Sequence, residues 1–156
     1  MVLANFERTC SLAMWKNTLH DVGVLLIRAI IAVVFMYHGS QKLFGMFEGP
    51  GIAGFAGFLE SINVPLPKVN AVMAASAEVF GGIAVLLGVG LRIAVFPMVV
   101  TMVVAIVTVH GKAFSAQAGG MEYPLTLAIV LLGLGLTGAG RFSIDERLRQ
   151  HFQKQK

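Results

Sequence analysis

The chain is poor in the residues that soluble enzymes use most. Of 156 residues only 20 are charged, 12 Lys or Arg and 8 Asp or Glu. A single cysteine, Cys10, excludes an internal disulfide, a CxxC redox pair and a thiolate metal site. No Lys/Arg-rich run and no interleaved aromatic platform occurs, so nucleic acid is not an expected partner. There is no dinucleotide fingerprint for a nicotinamide or flavin cofactor, and no motif fixes a histidine as a haem or metal ligand. What the chain does have is grease: 56% of its residues are apolar and the mean hydropathy is +0.79. That composition describes an integral membrane protein.

Four apolar windows, about 22–44, 70–90, 91–110 and 123–140, each approach the roughly 20 residues that a helix needs to span about 30 Å of hydrocarbon. The first lies too deep in the chain and is too long for a signal peptide. The expectation is an all-α, antiparallel bundle of four transmembrane helices. Residues 1–21 then form a cytoplasmic or interfacial segment, 22–140 the membrane domain and 141–156 a basic cytoplasmic tail. With both termini on one side, that side collects Arg8, Lys16, Arg92, Arg141, Arg147, Arg149, Lys154 and Lys156, against Lys42, Lys68 and Lys112 on the other. The positive-inside bias makes both termini cytoplasmic.

Phe6 to Leu19, with Arg8, Trp15 and Lys16, reads as a weakly amphipathic interfacial helix. After the first window, Phe47, Ile52, Phe55, Phe58, Leu59 and Ile62 recur at near-helical spacing in a stretch too broken to span. A short interfacial or re-entrant helix is expected there, closed by Pro65 and Pro67; it either caps a site beneath it or is a plain strap.

The first window carries ionisable residues that lipid would refuse. Arg28, Phe35, His38, Gly39 and Lys42 fall within a sector of roughly 100° on a helix, so this side should face protein. Arg28 either snorkels to the cytoplasmic headgroups or pairs with an acidic residue on a neighbouring helix. Glu78 sits inside the second window, where an isolated carboxylate must be protonated, hydrogen-bonded or paired. Small residues around it, among them Ala74, Ala75, Gly81 and Gly82, allow another helix to approach closely. Pro97 should kink the third helix, His110 and Lys112 end it, and Glu122, Tyr123 and Pro124 suit the N-terminus of the fourth.

His38, Gln41, Lys42, Glu78, His110, Lys112 and Glu122 thus come from all four windows yet share the outer half of the membrane. For Lys112 and Glu122, local pairing at helix ends is the simpler account; His38 and Glu78 lie deeper and form the core of a candidate pocket. Histidine titrates near neutrality and a desolvated Glu rises toward it, which suits proton exchange with a bound polar headgroup.

The run His38-Gly39-Ser40-Gln41-Lys42-Leu43-Phe44-Gly45 ten residues after Arg28, then Val64-Pro65-Leu66-Pro67, resembles the DoxX family of small four-helix membrane proteins. Glu78 with Gly81-Gly82, Leu87-Gly88 before Arg92, His110-Gly111, Glu122 and the sequence Gly138-Ala139-Gly140-Arg141-Phe142-Ser143-Ile144-Asp145 match it in order and spacing, over about residues 22–147. The resemblance implies a bacterial inner-membrane protein, one of a group described as oxidoreductases and associated with quinone-linked sulfur-compound oxidation or with membrane complexes that handle oxidative stress.

On that basis the expected ligand is a quinone or similar amphipathic molecule between the helices. His38, Glu78 and His110 are the candidate catalytic residues, and Arg28, His38, Gln41, Lys42, Glu78 and Glu122 the candidate binding residues. Any electrons would pass through a bound carrier or a partner subunit, because the chain supplies no redox-active cysteine pair. Two other classes stand beside this one: an assembly or scaffold subunit whose Gly/Ala faces pack on partners or on copies of itself, and a small solute or proton transporter.

Overall fold

The computed structural model describes the backbone from Val2 to Gln155 and side chains from Thr18 to Gln155. The expected amphipathic face of Phe6 to Leu19 lies almost wholly outside the described side chains. The described residues form six α-helices: α1 (Val2–Phe44), α2 (Gly51–Ser61), α3 (Pro67–Leu87), α4 (Leu91–Ala105), α5 (Glu122–Thr137) and α6 (Ile144–Gln153). Among the described residues there are no strands. α4 continues as a π-helical turn, Ile106–His110.

Helix ends follow local chemistry. α1 stops where Gly45 takes a positive φ of 71°, and α3 stops at Gly88 with φ 67°, both in the left-handed region that ends helices. α3 opens with Pro67 at its first turn, where a missing N–H costs nothing. The prolines expected to close α2 therefore lead into the next helix; α2 itself ends at Ser61, followed by Asn63 at φ 60°. α6 begins at an N-cap serine, with the Glu146 N–H donating to Ser143 Oγ at 3.2 Å.

Among the described residues three stretches are long and apolar enough to cross a membrane: Thr18–Phe44, Pro67–Leu87 and Leu91–His110. The fourth expected span is shorter. α5 has 16 residues, about 24 Å of helix against about 30 Å of hydrocarbon. Pro97 lies inside α4, and the helix runs through it.

The order of contacts fixes how neighbouring helices run. Gly39 of α1 meets Glu78 and Val79 of α3, Met36 meets Gly82, and Arg28 meets Gly88, so residue numbers fall on one helix as they rise on the other. α4 and α5 are likewise antiparallel, with Met102 and Leu127 on one cavity wall and Val95 against Gly135. The core between them is a stripe from each helix: Val24, Ile31 and Phe35; Val85; Leu91, Val95, Met98 and Met102; Leu127, Ala128, Leu131 and Leu134. These recur at three- and four-residue steps, the spacing of one helix face. Ile93, Phe96, Val107 and Leu136, by contrast, are more than 70% exposed. An exterior that apolar is stable in lipid and not in water.

The polar sector of α1 faces inward. Arg28, Phe35 and Gly39 are buried and His38 and Lys42 half-buried. Gly39 is required by the closeness of α3: a Cβ there would stand 2.8 Å from the Val79 backbone nitrogen and 2.9 Å from Glu78 Cβ.

Candidate functional site

The close approach at Gly39 brings the middle of α3 against the last two turns of α1. Glu78, almost fully buried, accepts a hydrogen bond and ion pair from Lys42, with Nζ to Oε1 at 2.5 Å. On its other side the Lys42 ammonium sits 5.3 Å from the centre of the Phe55 ring, a cation–π contact supplied by α2. The helix expected as a cap or strap therefore packs behind the lysine, with Ala56 and Leu59 buried against Ala71 of α3. Glu78 Oε2 is buried and has no hydrogen-bond partner. A carboxylate oxygen in that state costs free energy until a donor arrives.

Lys42 and Glu78 line a cavity of about 420 Å³, within the range of small-molecule sites. His38, one turn before Lys42, lies on its wall with Val34 and Phe35. α4 adds Met102 and Ala105, and the π-helical turn adds His110. His110 Nδ1 lies 2.7 Å from the Gly119 carbonyl oxygen. Since a carbonyl only accepts, Nδ1 carries the hydrogen, and in the neutral ring Nε2 is left with the lone pair. The loop holding Gly119 and Gly120, together with Tyr123, Pro124 and Leu127 of α5, completes the wall. His38 packs edge-on to Tyr123, ring centres 6.3 Å apart, and to Tyr37 at 5.4 Å. Among the described residues its imidazole has no hydrogen-bond partner.

His38, Lys42, Glu78 and His110 are thus brought to one cavity. Four other predicted residues stand off its wall. Gln41 donates from Nε2 to the Phe47 carbonyl at 3.4 Å, bracing the turn after α1. Glu122 Oε2 accepts from the Ala116 N–H at 2.9 Å, which holds the loop that in turn holds His110. Lys112 is exposed.

Arg28 is the clearest correction. It lies ten residues before His38, about 15 Å down the helix, and neither snorkels nor pairs with a carboxylate. Its guanidinium is fully buried and donates to four carbonyl oxygens: Nε to Val85 at 2.8 Å, Nη2 to Leu86 at 2.6 Å, and Nη1 to Ala139 at 2.6 Å and Phe142 at 3.0 Å. Val85 and Leu86 end α3, where carbonyls lack helical partners and the helix dipole is negative. Gly88 must be glycine beside it, since a Cβ would stand 2.6 Å from Nη2.

Sequence reasoning did not place Tyr123 in the site. Its position next to Glu122 and Pro124 marked a helix start, and only the spatial proximity of α1 and α5 puts its ring beside His38. Among the described residues no three His, Cys, Asp or Glu side chains converge as a metal ion would need.

The model of the DoxX family matches residues 23–111, from the first span through His110. Curated proteins are similar over most of their length, and three of them illustrate the range. A Bacillus subtilis protein named "Putative oxidoreductase CatD" is 32% identical over 129 residues, covering 83% of this chain and 89% of the relative. An uncharacterized membrane protein of Mycobacterium tuberculosis is 32% identical over 148 residues, covering 86% and 88%. The inner membrane protein YphA of Escherichia coli is 30% identical over 130 residues, covering 80% and 90%. No solved structure matches. The matched segment contains both halves of the Lys42–Glu78 pair and both cavity histidines, and with three helices fit to cross a bilayer the chain is a membrane protein that belongs to the DoxX family.

Proposed function

We propose that this protein is an inner-membrane component of an oxidoreductase system, and that its cavity holds a quinone-class ring or a similar amphipathic ligand. The observation that carries this reading is Glu78: a buried carboxylate on a cavity wall with one oxygen paired to Lys42 and the other unpartnered. The donor set fits such a ring. In this reading Lys42 and His38 donate to carbonyl oxygens, Glu78 Oε2 accepts from a hydroxyl, and Val34, Phe35, Met102 and Leu127 give apolar contact to the ring and its tail. A quinone, when bound, supplies a two-electron, two-proton couple. Glu78 and His110 Nε2 then take or return the protons, and a partner subunit handles the electrons. The name of the B. subtilis relative supports the oxidoreductase class.

The same reading has α5 as a fourth span, its 16 residues extended by Met121 and Gly138–Ala139, and both termini cytoplasmic. A reporter fused after residue 156 should be active only when the cytoplasmic face is accessible.

The decisive experiment is extraction of lipids from purified protein, followed by titration with a short-chain quinone in nanodiscs. Quinone should co-purify, and Glu78→Gln and His38→Ala should each weaken binding about tenfold or more, equivalent to about 1.4 kcal/mol. Absence of quinone together with no binding on addition removes the proposal. Loss of abundance without any ligand effect favours the scaffold role.

A further inference from the structure

The Gly88–Gly90 turn joins two spans and so lies at the membrane surface. Two hydrogen bonds tie the start of α6 to that turn: the Asp145 N–H donates to Gly88 O at 3.2 Å, and the Gly90 N–H to Asp145 Oδ2 at 2.9 Å. The preceding residue of the cap, Ser143, is buried beside Gly88. α6 therefore begins at the level of the headgroups.

Along α6, Ile144, Leu148 and Phe152 recur at four-residue steps and fill one narrow sector of roughly 80°. All three are exposed, and exposure grows along the helix from 38% to 50% to 63%, so the stripe is not packed on the bundle. Arg147, His151 and Lys154 flank it on one side. Glu146, Gln150 and Gln153 occupy the opposite face. Arg149 turns there and donates to Glu146 at 2.8 and 2.9 Å. The hydrogen bonds from Arg149 and Gln150 hold the Glu146 carboxyl below its ordinary pKa, so that face stays charged and wet.

Both carboxylates of this segment are thus engaged, Asp145 by a backbone N–H and Glu146 by Arg149. Arg147 and Lys154 remain as cations beside the apolar stripe, and Arg141 adds a third charge just before the helix. We propose that α6 lies in the membrane surface as an amphipathic anchor, its stripe among the acyl chains and its flanking cations on anionic phospholipid headgroups. The inference does not depend on what the cavity binds. A water-facing α6 would leave three large apolar side chains unpartnered. A lipid-facing one covers all three and meets the cations with opposite charge.

The test uses the full chain with Cys10→Ser and a single fluorophore-labelled cysteine, either Leu148→Cys on the stripe or Gln150→Cys on the opposite face. The two proteins are placed in nanodiscs of phosphatidylcholine alone or mixed with phosphatidylglycerol. In the mixed discs acrylamide should quench the label at 148 about threefold less than the label at 150, as for a helix lying in the interface. Arg147→Gln with Lys154→Gln should remove that protection while leaving the protein monodisperse. Three results overturn the proposal: equal quenching at both positions, equal protection without phosphatidylglycerol, or protection that appears only with two copies per disc, which assigns the stripe to a second copy.

Discussion

Lys42 is held by a carboxylate and an aromatic ring, and it is the only protein group hydrogen-bonded to the Glu78 carboxyl among the described residues. Removing it strands a buried charge. Lys42→Met should lower stability by about 3–5 kcal/mol, the usual effect of breaking a buried pair from one side. Adding Glu78→Gln should restore part of the loss; thermal unfolding of the three variants in one detergent is the measurement. If the single substitution leaves the unfolding midpoint unchanged, the pair is not what neutralises Glu78. At this scale much of the site was legible. His38 and Lys42 are one turn apart on a sequence that lipid alone would not tolerate, and Glu78 is conspicuous by depth. The partners of Arg28 were not legible, because a backbone carbonyl carries no letter: any sequence offers them, and only the fold decides which end up unpaired. Tyr123 escaped for a related reason, since an aromatic at a helix start is ordinary until a neighbouring helix makes it a wall.

Helices α1 and α3 approach so closely at Gly39 that the smallest side chain is already too large. Gly39→Ala should force them apart, costing about 1–3 kcal/mol as an overpacked contact does, and should loosen the Lys42–Glu78 pair with it. Gly133 of α5 is a fair control, as a Cβ there meets nothing within 4 Å. Gly133→Ala should stabilise the protein by about 0.5–1 kcal/mol through helix propensity. Parallel thermal unfolding, with quinone titration of the Gly39 variant, checks both. Most elements were readable from the pattern of apolar runs, and the starts of α3 and α4 came within a few residues. The length of α5 was not: the apolar run from 123 to 140 includes Gly138–Ala139–Gly140, whose backbone leaves the helix to bring the Ala139 carbonyl to Arg28. Composition cannot distinguish an apolar residue in a helix from one in the turn that ends it.

One buried side chain does most to close the molecule at one end. Arg28 on α1 bonds the last turn of α3 and both limbs of the turn between α5 and α6, gathering three stretches that lie far apart in sequence. Lysine cannot replace it, since one ammonium cannot reach four acceptors spread across a planar fork. Arg28→Lys should cost about 3 kcal/mol from lost charge-assisted hydrogen bonds and increase hydrogen exchange at the end of α3 and the start of α6 together. An increase confined to one of them would show that the arginine does not couple them. Carbonyl oxygens neither gain nor lose protons at any acidity a cell meets, so this seal has nothing in its acceptor set for pH to switch. The far end is built differently, with two imidazoles, a carboxylate and an amine around a hollow. The helices that carry those side chains are rooted at the opposite pole, which is therefore the fixed base against which any movement around a guest is made.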